Sequence, residues 1–68
     1  MKNGNSEQRV LGEKEAAAML GQAVQTLRNY RHQRKGPPYI KMGRSVRYLV
    51  DDLWEYLRKN RIDPEEYS

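Results

Sequence analysis

The chain has 68 residues, with 13 Lys or Arg against nine Asp or Glu and a formal net charge of +4. A chain this short forms one small domain with a single core, which leaves no room for an enclosed substrate cleft. It has no cysteine and one histidine, His32, so disulfides and thiolate zinc sites are excluded and no ligand set for a metal is expected.

No apolar run approaches the ~18 residues of a transmembrane span, and the polar start, Met1 to Arg9, has no secretory pattern. A cytoplasmic setting without membrane contact is therefore expected, and the lack of cysteine fits a reducing compartment. The charges are segregated. Acids sit at Glu7, Glu13 and Glu15, then at Asp51, Asp52, Glu55, Asp63, Glu65 and Glu66. Residues 16–50 between them hold Arg28, Arg31, Arg34, Lys35, Lys41, Arg44 and Arg47 and no acid. Such a distribution creates a local positive field suited to a polyanion.

In chain order, residues 1–9 read as a flexible tail, and Val10 and Leu11 bring the chain into the core. Gly12 is a tolerated N-cap, and Glu13 and Glu15 complement the dipole of a helix over Glu13 to Leu20. Ala16, Met19 and Leu20 share one face of it, and Gly21 ends it with the positive φ that a tight turn needs. A second helix is predicted from about Val24 to Gln33. Its stripe is Val24, Leu27, Tyr30 and Arg31, with Leu27 and Tyr30 the firmest inward residues. Gly36, Pro37 and Pro38 force an extended exit.

Tyr39 to Met42 and Ser45 to Leu49 then alternate around a Gly43-Arg44 turn, which predicts a hairpin whose register the sequence leaves open. A last helix is expected from Asp51, as its cap, to about Asn60, with Leu53, Tyr56 and Leu57 inward. Ile62 to Ser68 reads as a second tail, which gives a domain over residues 10–61.

Two helices joined at a glycine, with small residues Ala16 and Ala17 at their contact, suit a helix-turn-helix. The expected fold is mainly α with a small β-hairpin: a winged helix-turn-helix of three helices and a two-stranded wing. Such a unit projects the outer face of its second helix toward the DNA major groove. Gln25, Thr26, Arg28, Asn29, Arg31, His32 and Lys35 are the candidate residues there. Arginine suits guanine, and Asn or Gln suits adenine. Lys41, Arg44, Ser45 and Arg47 are the candidates on the wing, for backbone or minor-groove contact, with Arg44 at the tip.

Tyr30 and Tyr48 are expected in the core and Trp54 as a packing residue, with Tyr39 left open; the aromatics read as mostly internal, whereas RNA binding favours exposed ones for stacking. The acid pairs lie at helix starts, where capping accounts for them. No catalytic triad, phosphate-cradling loop or metal cluster is present in the sequence, so neither enzymatic activity, nor a cofactor, nor a small-molecule ligand is expected.

The series Glu15-Ala16-Ala17, Leu20-Gly21, Thr26-Leu27-Arg28-Asn29-Tyr30-Arg31, Gly36-Pro37-Pro38-Tyr39, Ile40-Lys41-Met42-Gly43-Arg44, Val46-Arg47-Tyr48, Asp52-Leu53 and Tyr56-Leu57 carries a further signal. Over about Leu11 to Leu57 the chain resembles the excisionase and AlpA-like branch of MerR-type winged helix-turn-helix domains. The resemblance implies sequence-specific binding of double-stranded DNA and a nucleoid-associated location. It implies as partners an integrase or recombinase, or the transcription machinery, with cooperative self-association along DNA. The chain departs from that pattern at Gln22, where an apolar residue is usual, at Ala23, where a Ser or Thr cap is usual, and at Trp54, where a polar residue is usual.

Overall fold

The structure, a computed structural model, describes residues 9–67. Most of the expected N-terminal tail therefore lies outside the described residues. Three helices form, α1 (Glu13–Leu20), α2 (Val24–His32) and α3 (Val50–Lys59). Three strands accompany them, β1 (Val10–Gly12), β2 (Ile40–Met42) and β3 (Ser45–Leu49), and Pro64–Tyr67 makes a single 3-10 turn.

The turn between α1 and α2 follows from Gly21, which adopts φ 67° and returns its N–H to the carbonyls of Ala17 and Ala18. Gln22 N–H adds a 2.9 Å bond to the Ala17 carbonyl. Together these bonds consume carbonyls that a helix end otherwise leaves unpaired. The C-terminal end of α2 closes with the same pair of bonds. Lys35 N–H reaches the Tyr30 carbonyl at 2.8 Å and Arg34 N–H reaches that of Arg31 at 3.0 Å. This is the Schellman pattern, in which the residue at the left-handed position is usually glycine. Here it is Arg34, at φ 59°.

The strands form one antiparallel sheet in the order β1-β3-β2. The two-stranded wing is β2 with β3, and β1 adds a third strand that pairs Leu11 with Tyr48. Val50 N–H bonds the Arg9 carbonyl at 3.0 Å and extends that ladder. Three residues are too short a run to show a strand alternation, so β1 is set by its partner and not by its own pattern.

Inward residues from the three helices, β1 and β3 meet in one core: Leu11, Ala16, Ala17, Leu27, Val46, Tyr48 and Leu53, with Met19, Leu20, Val24 and Val50 packed against it. Tyr48, Leu27 and Leu53 are its fully buried large side chains. Ala16 and Ala17 are small enough to let α1 lie close to its neighbours. Tyr30 departs from expectation, being only half-buried. Its ring instead lies against Gly36, where an added Cβ would come within 3.0 Å of the Tyr30 Cβ. Trp54 also departs, at 51% exposed: one residue on from the fully buried Leu53, it falls on the outer edge of the stripe that Val50, Leu53 and Leu57 turn to the core.

Asp51 does not cap α3. The N-cap is Leu49, the last residue of β3, with no side-chain hydrogen bond, and Asp51 and Asp52 lie in the first turn. The strand runs directly into the helix, so the cap position falls on a residue chosen for the sheet, and the acids act through the helix dipole. Three helices packed with a small antiparallel sheet, and a glycine turn between the first two helices, make this a winged helix-turn-helix.

Candidate nucleic-acid interface

On α2, Gln25, Arg28, Asn29 and His32 are all exposed. Their i, i+3, i+4, i+7 spacing makes them one outward stripe. Gln25 Nε2 donates to Asn29 Oδ1 at 3.0 Å, so the two amides are already aligned along it. Thr26 is half-buried on the flank of the stripe. Lys35 lies beyond the helix end, with its Nζ 5.9 Å from the centre of the Tyr30 ring.

Arg31 points elsewhere. Its side chain is 18% exposed, and its Nη2 lies 2.9 Å from Glu13 Oε2. Its Nη1 donates to the Tyr48 hydroxyl at 3.0 Å, and its guanidinium lies 5.7 Å from the centre of the Tyr39 ring. Tyr39 in turn packs at 6.3 Å on Tyr48, tilted by 51°. Arg31 thus joins α1, α2 and β3. Burial opposes its charge, but the Tyr48 hydroxyl and the Glu13 carboxylate outweigh burial and raise its pKa.

Glu13 is the residue whose role the sequence understates. Helix-dipole stabilisation is all its position in the first turn suggests. In the fold its carboxylate also accepts from Arg28, Nε to Oε2 at 3.1 Å and Nη2 to Oε1 at 3.2 Å. The hydrogen bond from Arg28 is the largest influence on Glu13; with those from Arg31, and against a burial effect, it holds the carboxyl below its ordinary pKa. Glu13 also raises the pKa of Arg28. Residues 15 apart on two different helices have no periodic signature; only the α1–α2 crossing brings them together.

The wing turns at Gly43, φ 61°, and Arg44. Glycine at the first of two turn residues, before a residue of ordinary φ, is the type II′ hairpin arrangement. The register pairs Ile40 with Arg47, Lys41 with Val46 and Met42 with Ser45. Directly opposed residues share a face. Lys41 therefore lies on the face of buried Val46 and Tyr48, whereas Ser45 and Arg47 lie on the outer face with Ile40 and Met42. Arg47 Nη1 folds back to the Val46 carbonyl at 3.1 Å. Lys41 and Arg44 are exposed, while Ser45 and Arg47 are half-buried. The wing thus has cations on two faces and at its tip.

An open groove beside the C-terminal end of α2 is lined by Arg31, Arg34, Lys35, Pro37, Pro38 and Tyr39. Arg34 is absent from the residues singled out by sequence. Its signal is the backbone conformation, which an arginine does not announce. Among the described residues no helix is long and apolar enough to cross a membrane.

Residues 10–61 match a family model described as a helix-turn-helix domain. No curated protein matches the chain, and no solved structure does. The family supports DNA binding, with double-stranded DNA as the partner. With a match across most of its length, and two helices set about the Gly21 turn, the chain belongs to the helix-turn-helix domain family.

Proposed function

We propose that the chain binds specific sites in double-stranded DNA, with α2 in the major groove and the wing on flanking backbone or minor groove. The outward stripe of Gln25, Arg28, Asn29 and His32 carries this reading. It offers amides and a guanidinium, the groups that pair with base edges, on a helix slim enough for the groove. Thr26 and Lys35 flank the stripe and serve phosphates, as do Lys41 and Arg44 on the wing, with Ser45 and Arg47 on its outer face. Arg31 contributes from behind by fixing α2 to the sheet. The module has no catalytic role.

In the cell, the chain acts as an excisionase-like directionality factor of a phage or mobile element. The motif series from Leu11 to Leu57 supports this role. A single small module covers little DNA, so several copies bind adjacent sites and work with an integrase. The exposed apolar residues Val10, Met42 and Trp54 support contacts between copies.

Footprinting on DNA around an attachment site, run with an excision assay, tests the role. Protection of several adjacent sites with stimulated excision is expected. Protection of one promoter operator without any effect on excision would make the chain a MerR- or AlpA-like transcriptional regulator. DNA binding itself is tested by salt. With about five phosphates neutralised, log affinity falls against log salt with a slope of about −4 to −5; a flat response would refute it. Arg28→Ala relaxes base preference, whereas Lys41→Ala weakens every duplex alike.

A further inference from the structure

Glu13 is an acid placed against the one arginine of the outward α2 stripe. An acid there repels phosphate, so by charge alone it weakens binding to any duplex. Its geometry points to what it contributes instead. The carboxylate occupies the Nε and Nη2 edge of Arg28 as a two-bond fork, at 3.1 and 3.2 Å. A guanidinium has five N–H donors in a plane. With that edge taken, both Nη1 hydrogens and the second Nη2 hydrogen remain, and that Nη2 hydrogen with one Nη1 hydrogen forms the end-on edge of the group. Guanine presents two acceptors, O6 and N7, in the major groove, and a guanidinium edge pairs with both.

The fork is itself anchored. The Tyr48 hydroxyl accepts from Arg31 Nη1 at 3.0 Å, and Arg31 Nη2 lies 2.9 Å from the same Glu13 Oε2 that receives Arg28 Nε. The chain Tyr48–Arg31–Glu13–Arg28 therefore runs from the core to the surface. Tyr48 is 0% exposed, and the side chains of Arg31, Glu13 and Arg28 are 18%, 23% and 49% exposed. A long flexible side chain is thereby fixed before it meets its ligand, which reduces the ordering needed on binding.

We propose that Glu13 is a specificity-determining positioning residue, which holds Arg28 so that its end-on edge reads a guanine while its own charge suppresses binding to unselected DNA. This rests on the DNA-binding reading above, and the test separates the two.

Full-length wild type, Glu13→Gln, Glu13→Ala and Arg28→Ala are each used to select sites from a random double-stranded DNA library. Binding is then measured to the wild-type site, to that site with each guanine replaced, and to a random-sequence duplex. Thermal melts of each variant establish that it is folded; Glu13→Gln keeps the side-chain volume if Glu13→Ala does not fold. Wild type is expected to select a guanine that Arg28→Ala no longer requires. A bidentate pair discriminates bases by roughly 5- to 150-fold. Glu13→Gln should lose most of that discrimination at the same guanine, keep the preferences at other positions, and bind the random duplex more tightly than wild type.

Weaker binding of Glu13→Gln to all duplexes with guanine preference intact would make Glu13 merely structural and overturn the proposal. Tighter binding to all duplexes with guanine preference intact would make it only a charge brake, and would overturn the proposal equally. Selection of a site without an Arg28-dependent guanine overturns it while leaving DNA binding in place. Failure of wild type to bind any duplex instead removes the DNA-binding reading on which it rests.

Discussion

Replacing Arg34 by glycine should make the domain more stable, although it removes a side chain. Arg34 closes α2 in the left-handed region at φ 59°. Its N–H and that of Lys35 make the two bonds of the Schellman closure, 3.0 and 2.8 Å, so the conformation is fixed by the backbone. An L-residue held there loses about 1–2 kcal/mol to contact between its Cβ and carbonyl oxygen. Glycine avoids that contact, but its greater freedom in the unfolded chain returns about 0.5–1 kcal/mol. From the middle of each range the net gain is about 0.75 kcal/mol. For a domain of this size that raises Tm by roughly 3–6 °C. Thermal melts of wild type, Arg34→Gly and Arg34→Ala decide the matter. Alanine keeps a Cβ in the same conformation, so its Tm should stay near that of wild type. If glycine melts no higher than alanine, the left-handed strain does not exist and the reasoning fails.

Acid sensitivity should trace in part to Glu13. Its folded pKa is depressed below the ordinary value of 4.5 by Arg28 and Arg31, so the unfolded state binds its proton more readily. The resulting stability is fully present above that ordinary value and is lost as pH falls through the depressed one; Glu13→Gln should flatten this acid limb in melts taken across pH. Tyr48→Phe leaves Arg31 Nη1 without the acceptor it now reaches at 3.0 Å. A loss of about 1–2 kcal/mol is expected, seen as a lower urea midpoint with unchanged slope. Ala23 is the N-cap of α2 at φ −76° and ψ 150°, with no side-chain cap bond. Because that backbone suits a capping hydroxyl, Ala23→Ser should add about 1 kcal/mol, and a Tm no higher than wild type would count against it.

Some of these features are written in the local sequence, and others arise only when distant segments pack together. The bounds of α1, the start of α2 and the hairpin turn were legible because local chemistry sets them. Gly21 and Gly43 supply positive φ, Gly36 to Pro38 stop a helix, and inward residues recur at helical spacing within each helix, Ala16 with Leu20, Val24 with Leu27 and Leu53 with Leu57. The outward stripe of α2 was legible for the same reason, since Gln25, Arg28, Asn29 and His32 obey the helix period. Features that depend on contacts between distant segments were not. Strand β1 exists only through its pairing with β3, and the faces of Lys41 and Arg47 follow from a register that two-residue periodicity alone leaves open. Most of all, an acid-free run of cations reads in sequence as one continuous positive surface. The fold places Glu13, from outside that run, between Arg28 and Arg31. Charge along a chain is additive, but a charged surface is set by which side chains the packing of helices brings within 3 to 4 Å, and that distance is a tertiary property.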